Sequence, residues 1–209
     1  MSELSLAYGA DDAQVITQDT VFQGYFRMDA LTLRHKRFDG SWTSGIRREL
    51  FQRGDAVAVL PWDVEADRVI LIEQFRPGAI RGAESPWMLE AIAGVVEAGE
   101  TDEAVAHREA SEEAGCTMDA LMPIVSYYPS PGACTEQIRL FIGRLTRAAI
   151  GGVRGVETEH EDILVHSVAR EDAIALRDDG KLNHESTLIA LHWRARHGDR
   201  FRSEWRHSC

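Results

Sequence analysis

Residues 94–115, GVVEAGETDEAVAHREASEEAG, set seven carboxylates between two glycines and oppose them with only His107 and Arg108. The pattern admits a helix. Thr101 can act as N-cap, Asp102 and Glu103 fall in the first turn, where the positive end of the helix dipole favours acids, and Gly115 suits the left-handed position beyond the last turn. Ala106, Ala110 and Ala114 recur every fourth residue, a thin small-residue stripe that lets such a helix lie close against a sheet. Glu109, Glu112 and Glu113, at i, i+3 and i+4, share another face, where each like-charge pair disfavours the helix by about 0.2–0.5 kcal/mol. Arg108 can pair with Glu112 but cannot neutralise three glutamates.

As a charge run alone, the segment reads as a solvated acidic helix. Its spacing also matches a site for a hard cation. Magnesium takes oxygen ligands in near-octahedral array, commonly one or two carboxylates with waters and substrate phosphates completing the shell. Three glutamates on one helical face beside a glycine-rich turn supply that chemistry.

Gly94, five residues, Glu100, seven residues, then Arg108-Glu109-Ala110-Ser111-Glu112-Glu113-Ala114-Gly115-Cys116 resembles the Nudix box, the signature of hydrolases that cut nucleoside diphosphates linked to another moiety. All seven fixed glycine, glutamate and arginine positions are filled, whereas Ala110 and Cys116 stand where the pattern usually carries large aliphatic residues. A pattern with so many fixed positions is far more specific than a lone glycine motif, and it favours the metal site over the solvated helix.

The remaining composition is compatible. At 209 residues, 44% hydrophobic and 27% charged, the chain reads as one globular enzyme-sized unit with room for a small appended segment. No apolar run approaches a membrane span, and MSELSLAYGADDAQ lacks the basic and apolar regions of a signal peptide, so a cytoplasmic location is expected. Cys116, Cys134 and Cys209 lack a metal-ligand spacing and read as reduced thiols. A net charge of −11 argues against a nucleic-acid polymer as partner, but a bound metal can reverse the local field for a small phosphorylated substrate. The histidines form no HExxH pair, and His160 and His166 read as solvated or packed.

Residues 13–50 alternate as antiparallel strands, with Asp39-Gly40 marking a tight hairpin. DAVAVLPWD (55–63) and RVILIEQF (68–75) are apolar runs joined by the turn Val64-Glu65-Ala66-Asp67, the clearest core hairpin. PWMLEAIAG leads into the acidic helix; MPIVSYY and IRLFIGRL read as strands around the loop PSPGACTE. Thr146 to Asp162 reads as irregular, ILVHSV as a strand, and 169–176 and 185–196 as helices, with Leu188, Leu191 and Trp193 filling the core. This order implies an α/β fold, a mixed sheet between helical layers. The resemblance implies the same α/β/α sandwich, with an N-terminal β-rich arm at 1–50 for dimerisation and substrate contact and a hydrolase domain at 51–209.

The resemblance covers most of the chain. REL (48–50), LIEQFRPGA (71–79), the box, SPG (130–132) and ETEHEDI (157–163) are similar to the bacterial ADP-ribose pyrophosphatases, and Pro131 lies fifteen positions after Cys116, close to that subgroup's marker proline. It implies hydrolysis of ADP-ribose to AMP and ribose 5-phosphate, with GDP-mannose or broader nucleotide-sugar pyrophosphatases as the rival enzyme class and a nucleotide-sensing module as the rival outside enzymes. It assigns Glu109, Glu112, Glu113, Glu161 and the carbonyl of Ala93 to magnesium, with manganese as an alternative. Arg108 and Glu100 orient the glutamates, and Glu159 or, as its rival, Glu136 activates water. Tyr25 and Trp42 are candidates to stack the base; Arg48 and Arg76 match substrate-binding positions, with Glu73 nearby. Related enzymes exchange the arm within a two-fold dimer, so a homodimer is expected.

Overall fold

The computed structural model describes residues 4–82, 85–147, 151–156, 158 and 161–206. The chain packs as two units, residues 1–54 with 128–136, and residues 55–127 with 137–209.

In the first unit β1 (Ala13–Gln23), β2 (Arg27–His35) and β3 (Ile46–Gln52) form an antiparallel sheet in that order. Asp39-Gly40 lies at the tip of the β2–β3 loop, where Gly40 takes φ 85°, a left-handed value glycine adopts without steric penalty. β1 bulges twice and is exposed along its whole length. β2 carries the buried residues Asp29, Ala30 and Leu31; the Asp29 carboxylate accepts hydrogen bonds from Gln18 Nε2 at 2.8 Å and Thr20 Oγ1 at 2.9 Å and pairs with Arg27 at 3.1 Å. Residues 128–136 join this unit through Phe51 N–H to the Ala133 carbonyl (2.7 Å) and Thr135 N–H to the Phe51 carbonyl (3.1 Å).

The second unit is built on an eight-stranded mixed sheet of β4 (Ala56–Asp63), β5 (Arg68–Phe75), β6 (Trp87–Glu90), β7 (Ile92–Val95), β8 (Thr117–Tyr127), β9 (Ile138–Arg147), β10 (Val153–Arg154) and β11 (Ile163–Ala169). Its path runs β10-β11-β5-β4-β9-β8, with β4 and β9 parallel. The apolar strands are buried on both faces, as strands covered by helices must be. Alternation divides them. Val57, Val59, Ile70, Ile72 and Phe141 pack with Val105, Ala106, Ala110 and Ala114 of α1 (Asp102–Ala114). Ala58, Leu60, Trp62, Leu71 and Ile142 pack on the other side with Ala173 of α2 (Arg170–Asp178) and Ala190 and Leu191 of α3 (Glu185–Arg206). The α/β/α sandwich expected from the element order is therefore present, and the chain adds to it an N-terminal β-rich arm.

β4 and β5 pair only at Trp62–Val69 and Asp63–Arg68, then diverge; β6 pairs with β5 and β7 with β4 inside the fork. Pro61, which has no N–H to give a ladder, falls between the end of the β7 pairing and the start of the β5 pairing. PWMLEAIAG is thus not a simple connector but two short strands, whose four-residue lengths hide their period. α3 continues past residue 196 because Phe201 and Trp205 extend its packing against the same core. The segment expected to be irregular from 146 to 162 contains β10, paired with Ile163 and Leu164, and Gly151, Gly152 and Gly155 hold φ values of 54°, 98° and 107° around it.

Candidate active site

α1 starts and stops where its residues require. Thr101 Oγ1 accepts from the Ala104 N–H at 3.2 Å, Gly115 takes φ 60°, and the Gly115 and Cys116 amides close onto the carbonyls of Ser111 and Ala110. Burying a side chain such as Val105 stabilises by about 1.5–3 kcal/mol, which outweighs the few tenths lost to each glutamate pair. Ala110 and Cys116, small for their places in the box, are both fully buried against the sheet.

That packing sets the glutamates against β7. Glu113 is buried, and its Oε2 accepts the Ala93 N–H at 3.2 Å. Glu109 lies against Gly94, where a Cβ would stand 1.6 Å from its Oε1. Arg108 Nε and Nη2 donate to the two Glu100 oxygens at 2.9 and 3.1 Å, while Nη1 reaches Glu109 at 2.7 Å and the exposed Glu112 at 3.2 Å. Glu100 in turn accepts the Glu97 N–H at 3.0 Å, so the arginine is seated on a fixed loop. Its guanidinium is held firmly charged, chiefly by Glu100.

Burial raises the Glu113 carboxyl to about 8, and the charges of Glu109 and Glu161 push the same way against the Ala93 N–H and Arg76. Glu109 is also raised, first by burial, against the pull of Arg108. Three carboxylates therefore feel one another with too little positive charge between them. Among the described residues no three His, Cys, Asp or Glu side chains are arranged to hold a metal ion. One oxygen of each is engaged elsewhere: Glu109 Oε1 by Arg108, Glu113 Oε2 by the Ala93 N–H, and Glu161 Oε2 by the Val156 N–H at 2.9 Å. The donor set is nonetheless all oxygen, acidic and largely desolvated, which fits a hard divalent cation.

Arg76 also acts on Glu113 and Glu161, and it grips the fully buried Glu90 with Nε and Nη2. Glu73 is not drawn to it; its Oε2 bonds His166 Nε2 at 2.8 Å, so His166 has a carboxylate partner rather than solvent alone. Sequence reasoning passed over Glu90. Glu90 ends the four-residue β6 and Ile92 begins β7, so no period marks it as inward-facing.

Tyr25, Trp42, Arg48, Pro131 and Glu136 belong to the first unit. Tyr25 is 94% exposed, with its ring edge-on to Phe26 at 4.8 Å. Trp42 lies under the Arg34 guanidinium at 4.9 Å, and Arg48 Nη1 donates to the Arg47 carbonyl. Pro131 is exposed in the turn after Ser130, and Glu136 is buried with Arg53 Nε 3.3 Å away. Glu159, assigned to the attacking water, lies outside the described residues.

The site thus stands on a forked mixed sheet between helical layers, with an acidic helix laid along a glycine-bearing strand. The chain belongs to the Nudix family, whose domain matches residues 52–191. It is 39% identical over 202 residues to an ADP-ribose pyrophosphatase of Escherichia coli strain K12, covering 97% of each chain. It is 38% identical over 211 residues to an ADP-ribose pyrophosphatase of Haemophilus influenzae, covering 100% of this chain and 97% of that one. A GDP-mannose pyrophosphatase of Yersinia pestis is 31% identical over 173 residues, 82% of this chain and 85% of its own. In fold, a solved structure described as an ADP compounds hydrolase superposes with a TM-score of 0.67 at 19% identity, covering 92% of this chain and 99% of that one.

Proposed function

We propose that the protein hydrolyses the pyrophosphate bond of ADP-ribose, giving AMP and ribose 5-phosphate, with magnesium or manganese as the metal. The observation that carries this reading is the near-full-length similarity to two ADP-ribose pyrophosphatases, set beside a shorter and weaker one to a GDP-mannose enzyme. A sensing module has no need of the box carboxylates, and this chain has every one of them.

Glu109, Glu112, Glu113, Glu161 and the Ala93 carbonyl are the proposed metal ligands. The metal, when bound, neutralises the diphosphate and lowers the pKa of a bound water. The chain supplies the rest. Arg108 keeps Glu109 and Glu112 oriented by donating to both. Arg76 offers a guanidinium to the phosphates. Glu159, or its rival Glu136, takes the proton of the attacking water as that oxygen bonds to phosphorus and the bridging oxygen leaves. Arg48, Glu73 and Pro131 are the further proposed substrate contacts, and Tyr25, with Trp42 as second choice, stacks the base.

We place the activity in the cytoplasm and assign residues 1–50 to a dimerising arm. Among the described residues no helix is long and apolar enough to cross a membrane. The test is a comparison of kcat/KM for ADP-ribose, GDP-mannose and other nucleotide sugars with the purified protein and magnesium. ADP-ribose should lead by at least about tenfold; a lead for GDP-mannose would transfer the assignment to the rival class.

A further inference from the structure

Glu90 is a carboxylate with no exposed surface, at the end of β6 inside the fork of the sheet. Burying such a group is costly unless it is paired and hydrogen-bonded. Arg76 does both, with Nε 3.0 and 3.1 Å from the two oxygens and Nη2 2.7 Å from Oε2. His184 Nε2 stands 3.9 Å from the same Oε2, and the next amide, Ala91 N–H, donates to the buried Thr187 Oγ1 at 2.8 Å. The carboxylate is therefore held by Arg76, and the backbone just after it is tied to α3 by Thr187.

The arginine is held on one edge only. Its backbone N–H donates to the Pro86 carbonyl at 2.8 Å, its side chain is 41% exposed, and none of the described residues accepts a hydrogen bond from Nη1. The docked edge fixes the guanidinium plane, and the charges of Glu113 and Glu161 act on the same guanidinium. An arginine serving only to neutralise Glu90 has no need of an exposed edge left without an acceptor among the described residues. A planar fork already fixed in direction loses little freedom on gripping a phosphate.

We propose that Glu90 is a positioning residue that aims Arg76 at a phosphate of the substrate. It touches no reacting atom and acts through the arginine. The inference rests on the diphosphate-hydrolase reading above and adds to it a residue outside the Nudix box.

The test compares wild type, Glu90→Gln, Arg76→Gln and the double variant at saturating magnesium over a range of ADP-ribose concentrations. If wild type itself does not turn ADP-ribose over, the underlying reading falls and this inference falls with it. Given wild-type turnover, Glu90→Gln should raise KM about tenfold with kcat within about threefold, because a binding contact has been loosened. The double variant should then be no worse than Arg76→Gln, since no arginine remains to be aimed. Arg76→Gln leaves a buried carboxylate unpaired, so Arg76→Lys serves as a second background: it keeps the charge but not the fork, and adding Glu90→Gln should raise KM no further. An unchanged KM in Glu90→Gln, with only a lower thermal midpoint, or losses that multiply in both backgrounds, would assign the pair to folding alone and overturn the proposal.

Discussion

Gly94 and Glu109 occupy almost the same space: a Cβ on the glycine would stand 1.6 Å from one Glu109 carboxylate oxygen and 2.4 Å from its Cγ. The glycine that opens the box is therefore explained by close approach, since its φ is not among the left-handed values. Gly94→Ala should displace the Glu109 carboxylate and lower kcat/KM about a hundredfold, the scale of loss when a reacting geometry moves by about 1 Å. Activity within a few fold of wild type would show that Glu109 relocates freely and that the contact is incidental.

Glu113 ties stability to pH. Its folded value of about 8 lies above its ordinary 4.5, so the metal-free fold binds the proton more tightly than the unfolded chain does. The contribution is fully present below the ordinary value and is lost as pH rises through the folded one. Thermal midpoints measured in EDTA should fall between about pH 5 and pH 8, and Glu113→Gln should flatten that decline. Glu109, shifted in the same direction, leaves a residual slope. Equal slopes in wild type and Glu113→Gln would mean that Glu113 is not the group responsible.

The general base is tested by comparing two amides. Glu159→Gln should lower kcat about a hundredfold or more at saturating magnesium with little change in KM, because the base acts in the transition state. Glu136 is buried beside Arg53, and Glu136→Gln should cost much less. Loss of kcat in the Glu136 variant alone would move the base to the loop at 128–136.

The arm exposes Val15, Ile16, Val21 and Phe22 along β1, more apolar surface than a free strand usually shows. Light scattering at micromolar protein should give the mass of a dimer. A fully active monomer would remove the arm from the account.

Much of this was legible because it repeats locally. The helix ends at Thr101 and Gly115 are single-residue signals, and the alternation of Val57 and Val59 with Ala58 and Leu60 predicts a strand buried on both faces. The short strands of the fork were not legible, since Trp87–Glu90 and Ile92–Val95 are too brief for a period to emerge and exist because two longer strands part around them. The Nudix box placed Glu109 and Glu113 together through helical spacing. It carried nothing about Glu90, whose partner Arg76 is fourteen residues away and meets it only across the sheet.

The most direct test of the central claim is product chromatography of ADP-ribose incubated with wild type and with Glu113→Gln at saturating magnesium. Wild type should yield AMP and ribose 5-phosphate in equal amounts, with no product in EDTA, and Glu113→Gln should be slower by at least about a thousandfold while keeping its circular dichroism spectrum. Intact ADP-ribose in the wild-type reaction, or turnover by Glu113→Gln close to that of wild type, would contradict the account.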